Sequence, residues 1–155
     1  MLADLNLGEW HRVVIHFPIA LLIVAPLFDL LGFSERMRWG RHAGLVLLIL
    51  GTAAALVAGL IAVPSPSEGV LRIRGAEDGF ALHRALGIAT MCAALGVLLL
   101  RLGVEWLRPE SKPLRIGLLV LGIGLAVLVG FTGHYGGVLV FEHGLGTQTP
   151  PPARP

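Results

Sequence analysis

Six histidines are the residues of this chain best suited to bind a metal ion or a haem. His11 and His16 lie at the start of the first apolar segment, and His83 begins the third. His134 ends the fourth segment, and His143 follows it. Neutral imidazole binds zinc and copper and is a common axial ligand of haem iron. Ionisable residues at membrane depth are costly and usually functional, so these histidines are the first candidates for a site.

Four apolar segments must position the histidines, at about residues 13–33, 43–63, 83–100 and 115–134. Each is long enough to cross a hydrocarbon layer of ~30 Å as a helix that rises about 1.5 Å per residue. An even number of crossings returns the chain to its starting side. Five histidines therefore share one aqueous side, and only His42 faces the other. The pattern predicts an all-α, four-helix transmembrane bundle.

Composition agrees with a membrane protein, because 55% of the 155 residues are hydrophobic and only 14% are charged. We expect a lipid bilayer as the environment and no nucleic-acid partner. Residues 1–146 are expected to form a single membrane domain, and residues 147–155 a Pro-rich tail. Met1–Trp10 contains Asp4 and Glu9 rather than a basic leader, so the first helix is expected to be an uncleaved anchor.

The connections predict the orientation. Seven basic residues occur between the first and second helices and between the third and fourth: Arg36, Arg38, Arg41, Arg101, Arg108, Lys112 and Arg115. Short basic loops remain in the cytoplasm, so both termini and the loop Pro64–Ala81 are expected to be periplasmic. The chain would then be a multi-pass protein of a bacterial inner membrane, with its histidine-rich face in the periplasm.

Small residues accompany three of the histidines one helical turn further into the bilayer. The pairs are His16 with Ala20, His83 with Gly87, and His134 with Gly130. A helix-borne histidine that ligates a flat macrocycle needs such a gap on its own helix face. A four-helix bundle can hold a cofactor between facing helices, so the pattern indicates haem b. His16 with His83 is the first candidate axial pair, because the first and third helices are diagonal; His134 with either one is the second.

Further residues are expected at the same face. Arg84, together with Arg12, Arg72 and Arg74, is placed to bind haem propionates. His143 follows the short strand-like or re-entrant run Gly137–Phe141 and is a further candidate ligand. An alternative use of His16, His83 and His134 is a non-haem site for zinc, copper or iron.

Other expectations concern the helices themselves. Asp29 lies in the opposite half of the first helix and is expected to pair with Arg36, Arg38 or Arg41. Gly51, Ala55 and Gly59 lie four residues apart, which favours close helix packing. Cys92 is expected to be a small buried residue.

Pro18 and Gly136-Gly137 are expected to shape the histidine face. If the first helix begins before Val14, Pro18 leaves the Val14 carbonyl without its helical donor and bends the helix near His16. Gly136-Gly137 is expected to end the fourth helix or to make a tight turn there.

Two motifs resemble those of a known family. The runs Val14–Leu21, which contains H-F-P-I-A, and Phe131–Val140, which contains T-G-H-Y-G-G, resemble a bacterial membrane family catalogued as a domain of unknown function, number twenty-two thirty-one. The resemblance extends over about residues 8–147. It implies a four-helix inner-membrane protein, and some members are joined to or encoded beside c-type cytochrome domains. The residues that it singles out are His16, Pro18, Gly133, His134, Gly136, Gly137 and His143.

Three function classes stay open. The first is electron transfer through haem b, with a periplasmic cytochrome c or a quinone as partner. The second is a non-catalytic subunit of a larger respiratory or photosynthetic membrane complex. The third is a non-haem metal protein or transporter. No nucleophile–base pair stands out, so an electron carrier or accessory subunit is favoured over a stand-alone enzyme. The chain contains no C-x-x-C-H motif for c-type haem.

Overall fold

A computed structural model describes residues 7–62, 68–108 and 110–145. The helices are α1 (Leu7–Val14), α2 (His16–Leu31), α3 (Trp39–Ile61), α4 (Glu68–Arg74), α5 (Glu77–Leu107) and α6 (Lys112–Phe141), with a 3-10 turn at Glu35–Met37. No strand occurs within these described residues. The prediction of an all-α, four-helix transmembrane fold is confirmed.

Four helical segments are long and apolar enough to cross a membrane: Trp10–Leu31, Trp39–Ile61, Glu77–Leu107 and Lys112–Phe141. In each, the most apolar stretch has only 17–33% of its residues buried by the rest of the chain. The remaining apolar side chains face outward, where a bilayer replaces water as the solvent. The chain is therefore an integral membrane protein.

The last two spanning helices are longer than the hydropathy pattern predicts. Most of the predicted loop Pro64–Ala81 is helical, because α4 and the first turn of α5 lie within it. The predictions of a strand-like run at Gly137–Phe141 and of a helix end at Gly136-Gly137 are wrong, because α6 continues to Phe141. Glycine disfavours a helix by only ~1 kcal/mol per residue, which packing of the following turn can offset. The predicted tail at 147–155 lies outside the described residues.

Helix α3 packs closely on α2 through small residues. A Cβ atom at Gly40 would lie 2.6 Å from the carbonyl oxygen of Phe28, and one at Gly51 would lie 2.8 Å from Leu22 Cδ2. Ala55 is buried in the same core. Close helix packing at Gly51 and Ala55 is thus confirmed, and Gly59 also packs closely, against Met91 of α5.

The boundary between α1 and α2 is a local break at Ile15. Pro18 has no N–H to donate to the carbonyl of Val14, its helical partner one turn earlier. Helical hydrogen bonds flank the break, from Ile15 N to His11 O at 3.0 Å and from Ile19 N to Ile15 O at 3.3 Å. As expected for a helix that begins before Val14, the irregularity lies beside His16.

Two apolar cores hold the helices. The main core lies between the four spanning helices and includes Leu22, Leu48, Ala94 and Leu125. A second cluster, the α4 cluster, consists of Leu71, Ala76 and Leu139, with Phe80 and Leu145 packed against it. At the end of α4, Gly75 has φ +60° and Ala76 N donates to Leu71 O at 2.9 Å, which turns the chain into α5.

Candidate functional site

One end of the bundle carries His11, His83, His134 and His143, and we call it the histidine end. His11 on α1 donates from Nδ1 to the carbonyl oxygen of Ala58, near the end of α3, over 3.0 Å. His83, in the second turn of α5, donates from Nδ1 to the carbonyl oxygen of Thr132 on α6 over 3.2 Å. These bonds fix each imidazole against the backbone of a neighbouring spanning helix.

The hydrogen-bond partner decides the tautomer of both rings. A carbonyl oxygen can only accept, so Nδ1 of His11 and of His83 must carry the proton. In the neutral ring, Nε2 then keeps its lone pair and is the atom available to a metal. Histidine ligands of metals commonly hold their second nitrogen in this way, which orients the ring and increases its basicity.

The surroundings of His83 combine close contact with open space. A Cβ atom at Gly136 would lie 2.9 Å from His83 Cε1, so a side chain there would displace the imidazole. At Gly87, one turn further along α5, an added Cβ would meet nothing within 4 Å. Thr132 Oγ1 donates to the carbonyl of Leu128 at 2.9 Å and therefore accepts from Thr90 Oγ1 at 2.8 Å, which ties α5 to α6.

The other predicted ligands occupy different positions. His16 and His134 are exposed on the outside of the chain, and the His134 ring makes an edge contact with Tyr135 at a centroid distance of 5.4 Å. His11 and His83 are the two histidines of this end whose rings are held by the backbone of a neighbouring spanning helix. Among the described residues, no group of three or more His, Cys, Asp or Glu side chains is placed to share a metal ion. Sequence reasoning placed His11 at the interface and did not pair it with His83.

His143 and Arg74 join the segment after α6 to α4. His143 Nδ1 donates to the carbonyl of Arg74 at 3.0 Å, and Arg74 donates to the carbonyl of His143 at 3.1 Å and to that of Gly144. Arg84 is exposed at the same end, as is Gly130 on α6. Arg74 therefore has backbone partners, whereas Arg84 points away from the bundle.

The opposite end carries a buried ionic network, which we call the charged end: Asp29, Arg41, Arg101, Glu105 and Arg115. The Arg101 side chain is only 5% exposed and forms an ion pair with Asp29, which is 14% exposed. The expectation that Asp29 pairs with Arg36, Arg38 or Arg41 is wrong, and so is the assignment of Arg101 to a loop. Arg101 lies inside α5, and α2 places the carboxylate of Asp29 at the same depth.

The network continues across all four spanning helices. Arg101 donates to the carbonyl of Arg41 at 2.8 Å, and Arg41 donates to Glu105 at 3.0 Å. Arg115 donates to the carbonyl of Gly32 at 2.8 Å and lies over the Phe33 ring at 4.7 Å. These are bonds between α2, α3, α5 and α6, and their first role is to hold the helix ends together.

Two further features concern the outer surface. Cys92 is exposed in the middle of α5, so the expectation of a buried cysteine is wrong. Trp10, Trp39 and Trp106 are all at least half exposed near helix ends, where amphipathic rings favour the membrane interface.

The comparisons with known proteins agree with this architecture. No curated protein and no solved structure has significant similarity to the chain. A family model described as "Predicted membrane protein (DUF2231)" matches residues 9–149, which include all four spanning helices and both ends of the bundle. The chain belongs to the DUF2231 family of predicted membrane proteins.

Proposed function

We propose that the protein is a redox protein of a bacterial inner membrane that holds haem b at its histidine end. The observation that carries the proposal is the hydrogen bond from His83 Nδ1 to the Thr132 carbonyl, which leaves Nε2 free for iron. His83 is also half-buried, as an axial ligand within a bundle should be.

His11 is the partner that the geometry favours for His83. It has the same tautomer as His83 and lies at the same end of the bundle. The absence of contacts at Gly87 leaves room beside His83 for the edge of a ring. His16 and His134, by contrast, are exposed and would need a second chain or a rearrangement to ligate the same iron.

The residues of the histidine end would then have separate roles. Haem, when bound, supplies one-electron chemistry. The carbonyls of Ala58 and Thr132 orient the two imidazoles, and Gly136 provides the space that His83 needs. The exposed Arg72 and Arg84 lie at this face beside exposed acidic residues, and both kinds of charge are available for contact with an electron-transfer partner. The partner that we propose is a periplasmic cytochrome c, and a quinone is the membrane-soluble alternative.

The test is a reduced-minus-oxidised visible spectrum of the detergent-purified protein from haem-replete cells. We expect Soret and α bands that His83→Ala and His11→Ala abolish and that His42→Ala, at the opposite end, leaves unchanged. His83→Gly in added imidazole should recover the bands, which separates loss of a ligand from loss of the fold.

Other outcomes assign the site differently. Bands lost in His16→Ala or His134→Ala, but retained in His11→Ala, would favour the diagonal or α6 pairings that the sequence suggests. A colourless wild-type protein would contradict the haem proposal. Metal analysis of the same preparation would then test a zinc, copper or non-haem iron site at His83.

A second candidate function is membership of a larger membrane complex. On α6, Cβ atoms at Gly117, Gly124 and Gly130 would meet nothing within 4 Å, and the most apolar stretch of this helix is only 17% buried. Small residues on an uncovered face allow another helix to approach closely in lipid. Co-purifying subunits in a mild detergent would support this candidate, and a single chain in native membranes would contradict it.

A further inference from the structure

A small cavity at the charged end is lined by two side chains that each have an unpaired polar atom. Its volume is about 10 Å³, and its lining includes Asp29, Arg101, Leu22, Pro26 and Gly122. This is the size at which a cavity admits about one water molecule. The rest of the lining is apolar, so any polar ligand must bind to the ion pair.

Two side-chain atoms of the ion pair lack a hydrogen-bond partner. Asp29 Oδ1 and Arg101 Nε are both buried and unpaired within the described part of the chain. The other oxygen of Asp29 accepts from Arg101, and the other guanidinium nitrogens of Arg101 bind Asp29 and the Arg41 carbonyl. An unpaired buried acceptor and an unpaired buried donor thus belong to adjacent side chains.

The helix backbone beside the cavity offers a further acceptor. Pro26 has no N–H, so the carbonyl of Leu22 lacks its donor one turn later in α2. Leu22 itself lines the cavity. A buried water is stable where two to four polar groups surround it, and the residues that line this cavity carry one unpaired donor and two such acceptors.

We propose that this cavity binds one water molecule that bridges the Asp29–Arg101 ion pair. The water accepts a hydrogen bond from Arg101 Nε and donates to Asp29 Oδ1, and its second O–H is available to the Leu22 carbonyl. A bridging water satisfies both unpaired atoms of the pair, which favours the ionised form of both side chains at membrane depth.

The first test uses a matched pair of glycine substitutions on α6. Gly122 lines the cavity, and an added Cβ there would make only an ordinary contact, 3.4 Å from Pro26 Cβ. Gly124 is exposed, and an added Cβ there would meet nothing within 4 Å. Gly124→Ala therefore reports the helix preference of alanine alone, whereas Gly122→Ala also adds a methyl group to the lining of a cavity of about 10 Å³.

The difference in melting temperature between Gly122→Ala and Gly124→Ala shows, by its sign, whether the cavity holds a water. If a water is bound, Gly122→Ala should melt roughly 2–4 °C below Gly124→Ala in the same detergent, because the methyl group displaces a hydrogen-bonded molecule. If the cavity is dry, the methyl group fills a void, and Gly122→Ala should melt at or above Gly124→Ala. The second result would overturn the proposal.

If Gly122→Ala fails to fold, an experimental structure of the wild-type protein is an independent test of the bound water. Density for one ordered water within about 3.2 Å of both Asp29 Oδ1 and Arg101 Nε would establish the bridge. Well-resolved side chains with no density between them would overturn it.

Discussion

At the scale of single residues, the ion pair between Asp29 and Arg101 is the strongest constraint on the charged end. A charged side chain inside a membrane is costly, so each member needs the other at the same depth. Arg101 also bonds the Arg41 carbonyl, which extends the pair from α2 and α5 to the start of α3. The pair therefore specifies which helix ends meet.

Removing one member of this pair should destabilise the protein far more than removing both. Asp29→Ala leaves the buried Arg101 with only the carboxylate of Glu105, 4.0 Å away, and should cost about 3–5 kcal/mol. The double variant Asp29→Leu/Arg101→Met replaces the pair with apolar groups and should recover much of that loss. Thermal unfolding in detergent measures both values.

The exposed ion pair between Glu35 and Arg38 is the matched control, with side chains 85% and 70% exposed. Glu35→Ala should leave the melting temperature nearly unchanged, since exposed pairs contribute little. A double variant as unstable as Asp29→Ala would show that the loss comes from packing rather than from an unpaired charge.

At the scale of helices, the close approach of α2 and α3 depends on glycine at particular positions. A Cβ at Gly40 would lie 2.6 Å from a backbone oxygen, which cannot move aside as a flexible side chain can. In lipid, such contacts matter more than the burial of apolar area, because lipid chains are as apolar as the helices.

Gly40→Ala should therefore destabilise the protein by about 1–3 kcal/mol, as overpacking does in other cores. Gly117→Ala is the matched control, since an added Cβ at Gly117 on α6 would meet nothing. Unfolding by increasing fractions of a denaturing detergent compares the two variants. Equal stabilities would show that α2 and α3 can separate without penalty.

The fold was largely predictable from the sequence, but the rotation of each helix was not. Hydropathy along the chain indicates the length of each spanning segment and the depth of each residue in the membrane. The spanning segments and the histidine end could therefore be predicted directly. Which face of α2 carries His16, and which helix brings a partner to Asp29, depend on packing between distant segments. In the sequence, Arg101 follows three consecutive leucines and precedes Leu102. This position within an apolar run was the signal that the assignment of Arg101 to a loop overlooked.

At the scale of the whole molecule, the two ends differ in chemistry, and we expect them to face different compartments. The short connections near the charged end contain Arg36, Arg38, Arg108 and Lys112. Such connections favour the cytoplasm, which would place the histidine end in the periplasm.

Cysteine labelling tests this orientation. In a Cys92→Ala background, Glu77→Cys at the histidine end should react with a membrane-impermeant maleimide in intact spheroplasts. Glu35→Cys, in the turn before α3, should react only after permeabilisation. The reverse pattern would invert the topology and place the haem site proposed above in the cytoplasm.

The α4 cluster is stabilised by a different effect from the one that holds the helices together in lipid. Helix α5 has 31 residues and is about 46 Å long, well beyond a hydrocarbon layer of ~30 Å. Its first turns, α4 and the end of α6 enclose Leu71, Ala76 and Leu139, and we expect this cluster to lie outside the hydrocarbon layer. There the hydrophobic effect operates, with its large heat-capacity change and its sensitivity to urea. A chaotrope should thus loosen the covering of the histidines while the bundle in lipid stays folded, so we expect two melting events rather than one.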